Sequence, residues 1–139
     1  MKKILATAAA LMALSGTAAL AEGDAAKGEK DFKKCKACHG IVTPEGEEIW
    51  KLAKTGPNLW GVIGRQAGTQ ADYEKYGDDL VAAGEAGLVW TEENLAEYAA
   101  DPKKFLRTFL DDNGARSMMT FKLKKAENVA AYLATLSAE

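Results

Sequence analysis

Both cysteines of the chain and its single histidine fall in one five-residue run, Cys35-Lys36-Ala37-Cys38-His39. Two thiols separated by two residues can add across the two vinyl groups on one porphyrin edge. The imidazole of the next residue then points under the ring toward the iron, so the spacing is the attachment signature of a c-type haem. A thiol–disulfide centre uses the same Cys-x-x-Cys pair but needs a βαβ setting. A zinc site needs third and fourth ligands in a second cluster, and the sequence holds no other Cys or His. A lone histidine is more often structural than ligating, but its place directly after Cys38 reverses that preference.

The residues around this motif must therefore be read as a chain built to enclose a large flat cofactor. At 139 residues the length fits one domain. Lys2 and Lys3, an Ala/Leu-rich run from Ile4 to Leu20, and Ala19-Leu20-Ala21 have the layout of a cleaved secretory signal. The run falls just short of a bilayer span and is interrupted by Thr7, Ser15, Gly16 and Thr17, so a retained anchor is the weaker reading. Residues 1–21 are expected to be removed, leaving residues 22–139 as a single soluble domain. Loss of Lys2 and Lys3 takes the formal charge from −2 to −4. A mildly acidic chain of this kind lacks the basic footprint that nucleic acid requires.

The apolar spacing reads as all-α with long loops. Asp24 caps a first helix of about three turns that carries Phe32 and ends at the cysteine pair. Residues Gly40–Gly68 read as loop, with no strand pattern of useful length. Helical spacing returns over Asp72–Ala83. Thr91 caps a helix with Leu95 and Tyr98, and Asp101-Pro102 restarts one with Phe105, Leu106, Phe109 and Leu110. Ala115–Lys122 reads as extended loop, and a last helix runs from about Lys125 to Leu136. Loops this long in a small domain call for something to wrap around, and a haem supplies it.

The second axial position cannot be histidine. Once the leader is removed, Met118 and Met119 are the remaining methionines, adjacent in the loop before the last helix. A thioether is soft and neutral and suits ferrous iron. Neighbours in an extended segment face opposite ways, so only one of the two can reach the iron.

With these residues on the page, the sequence resembles the class I c-type cytochromes, and within them the bacterial cytochrome c2 proteins. The resemblance spans residues 23–136. Beyond Cys35–His39 it rests on Thr55-Gly56-Pro57-Asn58-Leu59, Gly61, Gly64-Arg65, Trp90-Thr91, Tyr98, Pro102-Lys103-Lys104 and Met119-Thr120-Phe121-Lys122. It implies helices and long loops wrapped around one covalent haem, with Gly28 and Phe32 of the first helix crossing Tyr132 and Leu133 of the last. By the same resemblance Met119 is the sulfur ligand and the Pro57 carbonyl holds the His39 ring N–H. Tyr98 lies near the sulfur, and Arg65 and Trp90 lie near a propionate, with Tyr73 or Tyr76 as possible partners. The loops at 42–54, 72–89 and 106–117 are longer than in mitochondrial relatives. Met118 stands where relatives often carry lysine or a small residue.

The resemblance further implies a monomeric, non-enzymatic electron carrier of the periplasm. Its donor would be a membrane cytochrome bc complex, and its acceptor a photosynthetic reaction centre or a terminal oxidase. Lys33, Lys34 and Lys36 surround the attachment motif. Lys103, Lys104, Lys122, Lys124 and Lys125 flank segments the family places at the haem edge, so a docking ring is expected. The competing reading is a haem enzyme or gas-binding cytochrome with an open iron site. Four-helix-bundle cytochromes place the motif near the C-terminus, and a peroxidase would show a distal His or Arg and usually a second haem. Neither pattern is evident here.

Overall fold

A computed structural model describes residues 23–137, so the expected leader, residues 1–21, lies outside the described residues. The Asp24 carboxylate accepts the Lys27 N–H at 3.0 Å and starts α1 (Ala25–Asp31). The chain then tightens into a 3₁₀ turn, Phe32–Lys34, which buries Phe32 completely and delivers Cys35. The expected three-turn helix is thus an α-helix with a narrower last turn.

Two short strands correct the reading of residues 40–68 as strand-free. Strand β1 (Ile41–Val42) pairs antiparallel with β2 (Glu48–Trp50), Ile41 opposite Trp50 and Val42 opposite Glu48, with an irregularity between the two pairs. Gly46 turns the chain between them at φ +89°. Strands of two and three residues are too short to leave an alternating signature, which is why the pattern does not announce them.

A second correction concerns the helix expected over Asp72–Ala83, which forms instead as α2 (Asp78–Glu85). The preceding stretch is drawn into the loops by its tyrosines. Tyr73 donates its hydroxyl to the Thr55 carbonyl at 2.6 Å, and Tyr76 accepts the Gln70 N–H at 3.1 Å. Their rings meet edge to face at 4.8 Å. These tertiary bonds outweigh the weak local helical preference, and extended Gly77 then starts α2.

The remaining helices follow their caps. In α3 (Glu92–Ala100) Thr91 and Asn94 cap each other: Asn94 N–H donates to Thr91 Oγ1 at 3.1 Å, and Thr91 N–H to Asn94 Oδ1 at 2.8 Å. Helix α4 (Pro102–Phe109) opens with proline in its first turn and the Asp101 carboxylate on the Lys104 N–H at 3.1 Å. Helix α5 (Ala126–Ala134) begins after Lys125, which takes a left-handed φ of +53°.

Helix α5 packs on α1 and on α3. Gly28 makes the first contact possible, because a Cβ there would lie 1.8 Å from the Asn128 carbonyl oxygen. Asn128 also accepts the Asp24 N–H through Oδ1 at 2.9 Å, so the crossing fixes the start of α1. Phe32, Val129, Tyr132 and Leu133 are buried there, and burying side chains of this size is worth roughly 1.5–3 kcal/mol each. Among the described residues no helix is long and apolar enough to cross a membrane.

Candidate haem site

The attachment motif sits on one continued helical turn. Cys35 N–H donates to the Phe32 carbonyl at 2.8 Å, and His39 N–H donates to the Cys35 carbonyl at 2.9 Å. The turn presents Cys35 half-buried and Cys38 exposed, both as free thiols. Burial pushes the Cys35 thiol up to about 11. The rival redox-dithiol reading needs a βαβ setting, and among the described residues the sheet is a single antiparallel pair of short strands.

His39 is held on two sides. Its Nδ1 lies 2.9 Å from the Pro57 carbonyl oxygen, an acceptor, so Nδ1 carries the proton and Nε2 keeps the lone pair. Against the ring lies Gly56, where a Cβ would stand 2.4 Å from Cε1. Burial pushes the imidazole below its ordinary value and outweighs the opposing effect of the Pro57 bond, and this net lowering favours the neutral form a metal ligand must adopt. The backbone closes the same clamp, since Gly56 N–H donates to the Cys38 carbonyl at 2.6 Å and Leu59 N–H to the Gly40 carbonyl at 3.0 Å.

The two methionines differ sharply in environment. Met119 is half-buried and packs against the core, whereas Met118 is 74% exposed. Tyr98, buried in α3, places its hydroxyl 3.5 Å from Ser117 Oγ, two residues before Met119. The Tyr98 ring lies 5.0 Å from Trp90 and 5.8 Å from Phe105. Arg65 and Trp90 are brought together by their backbones: Trp90 N–H donates to the Arg65 carbonyl at 2.9 Å, and Gly64 N–H to the Trp90 carbonyl at 2.7 Å. The Arg65 guanidinium donates to the carbonyls of Asn58 at 3.1 Å and Trp60 at 2.7 Å. In donor chemistry, two adjacent thiols, a neutral imidazole and a half-buried thioether fit a covalent haem.

The same chain pattern occurs in proteins of known kind. It is 58% identical to cytochrome c-551 of Roseobacter denitrificans over 134 residues, 94% of this chain and 95% of the relative. It is 56% identical to cytochrome c2 of Rhodobacter capsulatus over 135 residues, 96% of this chain and 98% of the relative. The chain belongs to the cytochrome c2 family. A solved structure of cytochrome c2 from Rhodobacter capsulatus superimposes with a TM-score of 0.79 at 59% identity, covering 81% of this chain and 97% of that one. No protein-family model matches the sequence. Like these relatives, this cytochrome has the class I fold, carries one covalently attached haem c, and belongs to a family of electron carriers.

The lysines expected to form a docking ring are not all free in the cytochrome. Lys103, Lys104 and Lys122 line one groove of about 580 Å³ together with Arg107. Lys33 and Lys36 border a second concavity of about 530 Å³ with Trp50, Lys51 and Leu52. Lys122 is paired with Asp101 at 2.9 Å and Lys34 with Asp31 at 3.4 Å, which partly cancels two of the expected charges. Exposed pairs of this kind contribute little to stability.

Several residues that shape the site carry no role in the sequence reading. Asn58 accepts the Val42 N–H at 3.0 Å and the Trp60 N–H at 3.1 Å, and donates to the Val42 carbonyl at 2.8 Å. It thereby ties β1 to the strand of chain that holds His39. Trp50 donates its indole N–H to the Tyr132 hydroxyl at 3.1 Å and fastens β2 to α5. Asn58 stands inside the quoted Thr55–Leu59 motif, so a signal was present. Trp50 offered none.

Proposed function

We propose that this cytochrome is a monomeric, non-enzymatic one-electron carrier of the periplasm, exported by a leader of residues 1–21 and folded as residues 22–139. Cys35 and Cys38 would hold the haem as thioethers, His39 Nε2 would be one axial donor, and Met119 the other. The bound haem supplies a ferric–ferrous couple. Pro57 orients the imidazole and keeps its proton on Nδ1. Gly56 allows the ring to lie flat against the backbone. Tyr98 supports the methionine segment through Ser117, and burial pushes its phenol up, so it stays neutral. Arg65 and Trp90 would steady a propionate side.

The observation that carries this reading is the neutral, clamped His39 combined with one inward and one outward methionine. With the His39 nitrogen and the Met119 sulfur both donating to the iron, no position would be left for substrate, which would suit electron transfer and not catalysis. A cytochrome bc complex would be the donor, and a photosynthetic reaction centre or a terminal oxidase the acceptor. Lys103 and Lys104 would steer docking, so Lys103→Glu with Lys104→Glu should slow association and flatten its salt dependence in electron-transfer kinetics with isolated reaction centres and oxidase.

The deciding experiment is the reduced optical spectrum with and without carbon monoxide. Wild type and Met118→Ala should not bind the gas, while Met119→Ala should bind it and fall in potential. The double variant controls for Met118 swinging inward. Carbon monoxide binding by wild type would instead support the open-site reading.

A further inference from the structure

Four consecutive residues upstream of Met119 are each tied to a different part of the fold. Gly114 N–H donates to Asp112 Oδ1 at 2.7 Å, and the Ala115 carbonyl accepts from Arg107 Nε of α4 at 3.2 Å. Arg116 N–H donates to Asp79 Oδ2 of α2 at 2.7 Å, and Ser117 Oγ lies 3.5 Å from the Tyr98 hydroxyl of α3. Asp112 and Arg107 are near in sequence to the segment they hold. Asp79 is 37 residues away from Arg116.

The position of Asp79 makes its bond unusual. It stands in the first turn of α2, where a carboxylate ordinarily complements the exposed N–H groups of its own helix. Helix α2 has no side-chain cap, and the Asp79 oxygen is directed across to another segment. A second contact lies beside it. Gly77, the residue that starts α2, packs under Met118, and a Cβ there would stand 2.8 Å from Met118 Cγ. The start of α2 therefore touches two successive parts of the methionine segment, through a charge-assisted bond to Arg116 and through the side chain of Met118. Residues 114–119 have no helix or strand of their own to fix their register. A slip of one residue would exchange the facing of Met118 and Met119.

We infer that Asp79 is a positioning residue that, by accepting the Arg116 N–H, sets the register in which Met119 is presented, with α2 acting as a brace on the sulfur donor. The inference rests on the reading of Met119 as that donor. Helix α2 also packs against α4, whose Arg107 holds the neighbouring carbonyl, so the brace is anchored on the same side that supplies the next tie.

The test uses the haem-loaded protein in wild-type, Asp79→Ala, Asp79→Asn and Met119→Ala forms. Imidazole is titrated into the ferric protein, and loss of the weak long-wavelength absorption of a thioether-bound ferric haem reports displacement of the sulfur. Hydrogen exchange of the Arg116 amide reports the bond itself. Asp79→Ala should bind imidazole about tenfold more tightly and exchange the Arg116 amide about tenfold faster, the size expected for one partly exposed charge-assisted bond. Asp79→Asn keeps an oxygen acceptor and should stay within about twofold of wild type on both measures. Asp79→Ala behaving as wild type overturns the inference, and so does Asp79→Asn behaving as Asp79→Ala. If Asp79→Ala fails to fold with haem, Asp79→Ser, whose oxygen is too short to reach, takes its place with the same expected result. Met119→Ala should lack the thioether absorption from the outset. If it keeps that absorption, the assignment of the sulfur donor itself is wrong, whatever Asp79 does.

Discussion

At the crossing of α1 and α5 two backbones touch, because Gly28 leaves no room for a Cβ beside the Asn128 carbonyl, and Phe32, Tyr132 and Leu133 close over the contact. Residues 40–77 are held quite differently. There the anchors are directional bonds from side chains to backbone: Asn58 to Val42, Arg65 to the carbonyls of Asn58 and Trp60, Tyr73 to the Thr55 carbonyl, and His39 to Pro57. Apolar packing supplies free energy without fixing direction. Hydrogen bonds supply modest net energy and a great deal of direction. The helical crossing thus provides stability, while the loop region provides a shape that becomes fully worthwhile when a haem fills it.

The strongest way to break this comparison is to remove the attachment. Cys35→Ala with Cys38→Ala should leave the chain largely unfolded, with most of the helical circular dichroism lost. Native helix content in that variant would mean that the loops stand without the cofactor. Next in size is Gly28→Ala, whose added methyl meets backbone. It should lower stability by about 3 kcal/mol in chemical denaturation, the upper end of overpacking costs. Asn58→Ala should cost about 2 kcal/mol, because it leaves the N–H and carbonyl of Val42 without their partner. If its loss matched that of Gly28→Ala, the two regions would share the load more evenly than the contacts indicate.

The smallest effect should come from an exposed polar contact belonging to neither region. The Lys122 ammonium first, and then the Lys104 N–H, hold the Asp101 carboxyl below its ordinary value. Whatever stability this contributes is present above the ordinary carboxylate range and fades as pH falls through the depressed folded value. Asp101→Asn should therefore differ slightly from wild type at neutral pH and converge with it in acid, in denaturation series across pH.

How much of this was legible depended on whether the information was local. Asp24, Thr91 and Asp101 announce α1, α3 and α4, because a cap is set by residues three apart. Cys35–His39 announces its chemistry for the same reason. The start of α2 was misplaced because Tyr73 and Tyr76 bond to Thr55 and Gln70, partners that no periodicity reveals. The hairpin leaves no mark in the sequence because Ile41–Val42 and Glu48–Trp50 are too short to show an alternation. The His39–Pro57 contact was anticipated only through family resemblance, since nothing in an 18-residue separation predicts it. The Asp79–Arg116 bond was beyond reach of both.

The glycine beside His39 carries a consequence for anyone wishing to rebuild this protein. At residue 56 even a methyl group would fall on the imidazole, so random libraries aimed at retuning the redox potential will return glycine there again and again. Replacing His39 by another donor meets the matching restriction. A new side chain must be as flat as a five-membered ring and must offer a proton to the Pro57 oxygen while leaving its opposite edge free. Useful diversity therefore lies on the methionine side, where an irregular segment and a solvent-facing neighbour leave room to redesign.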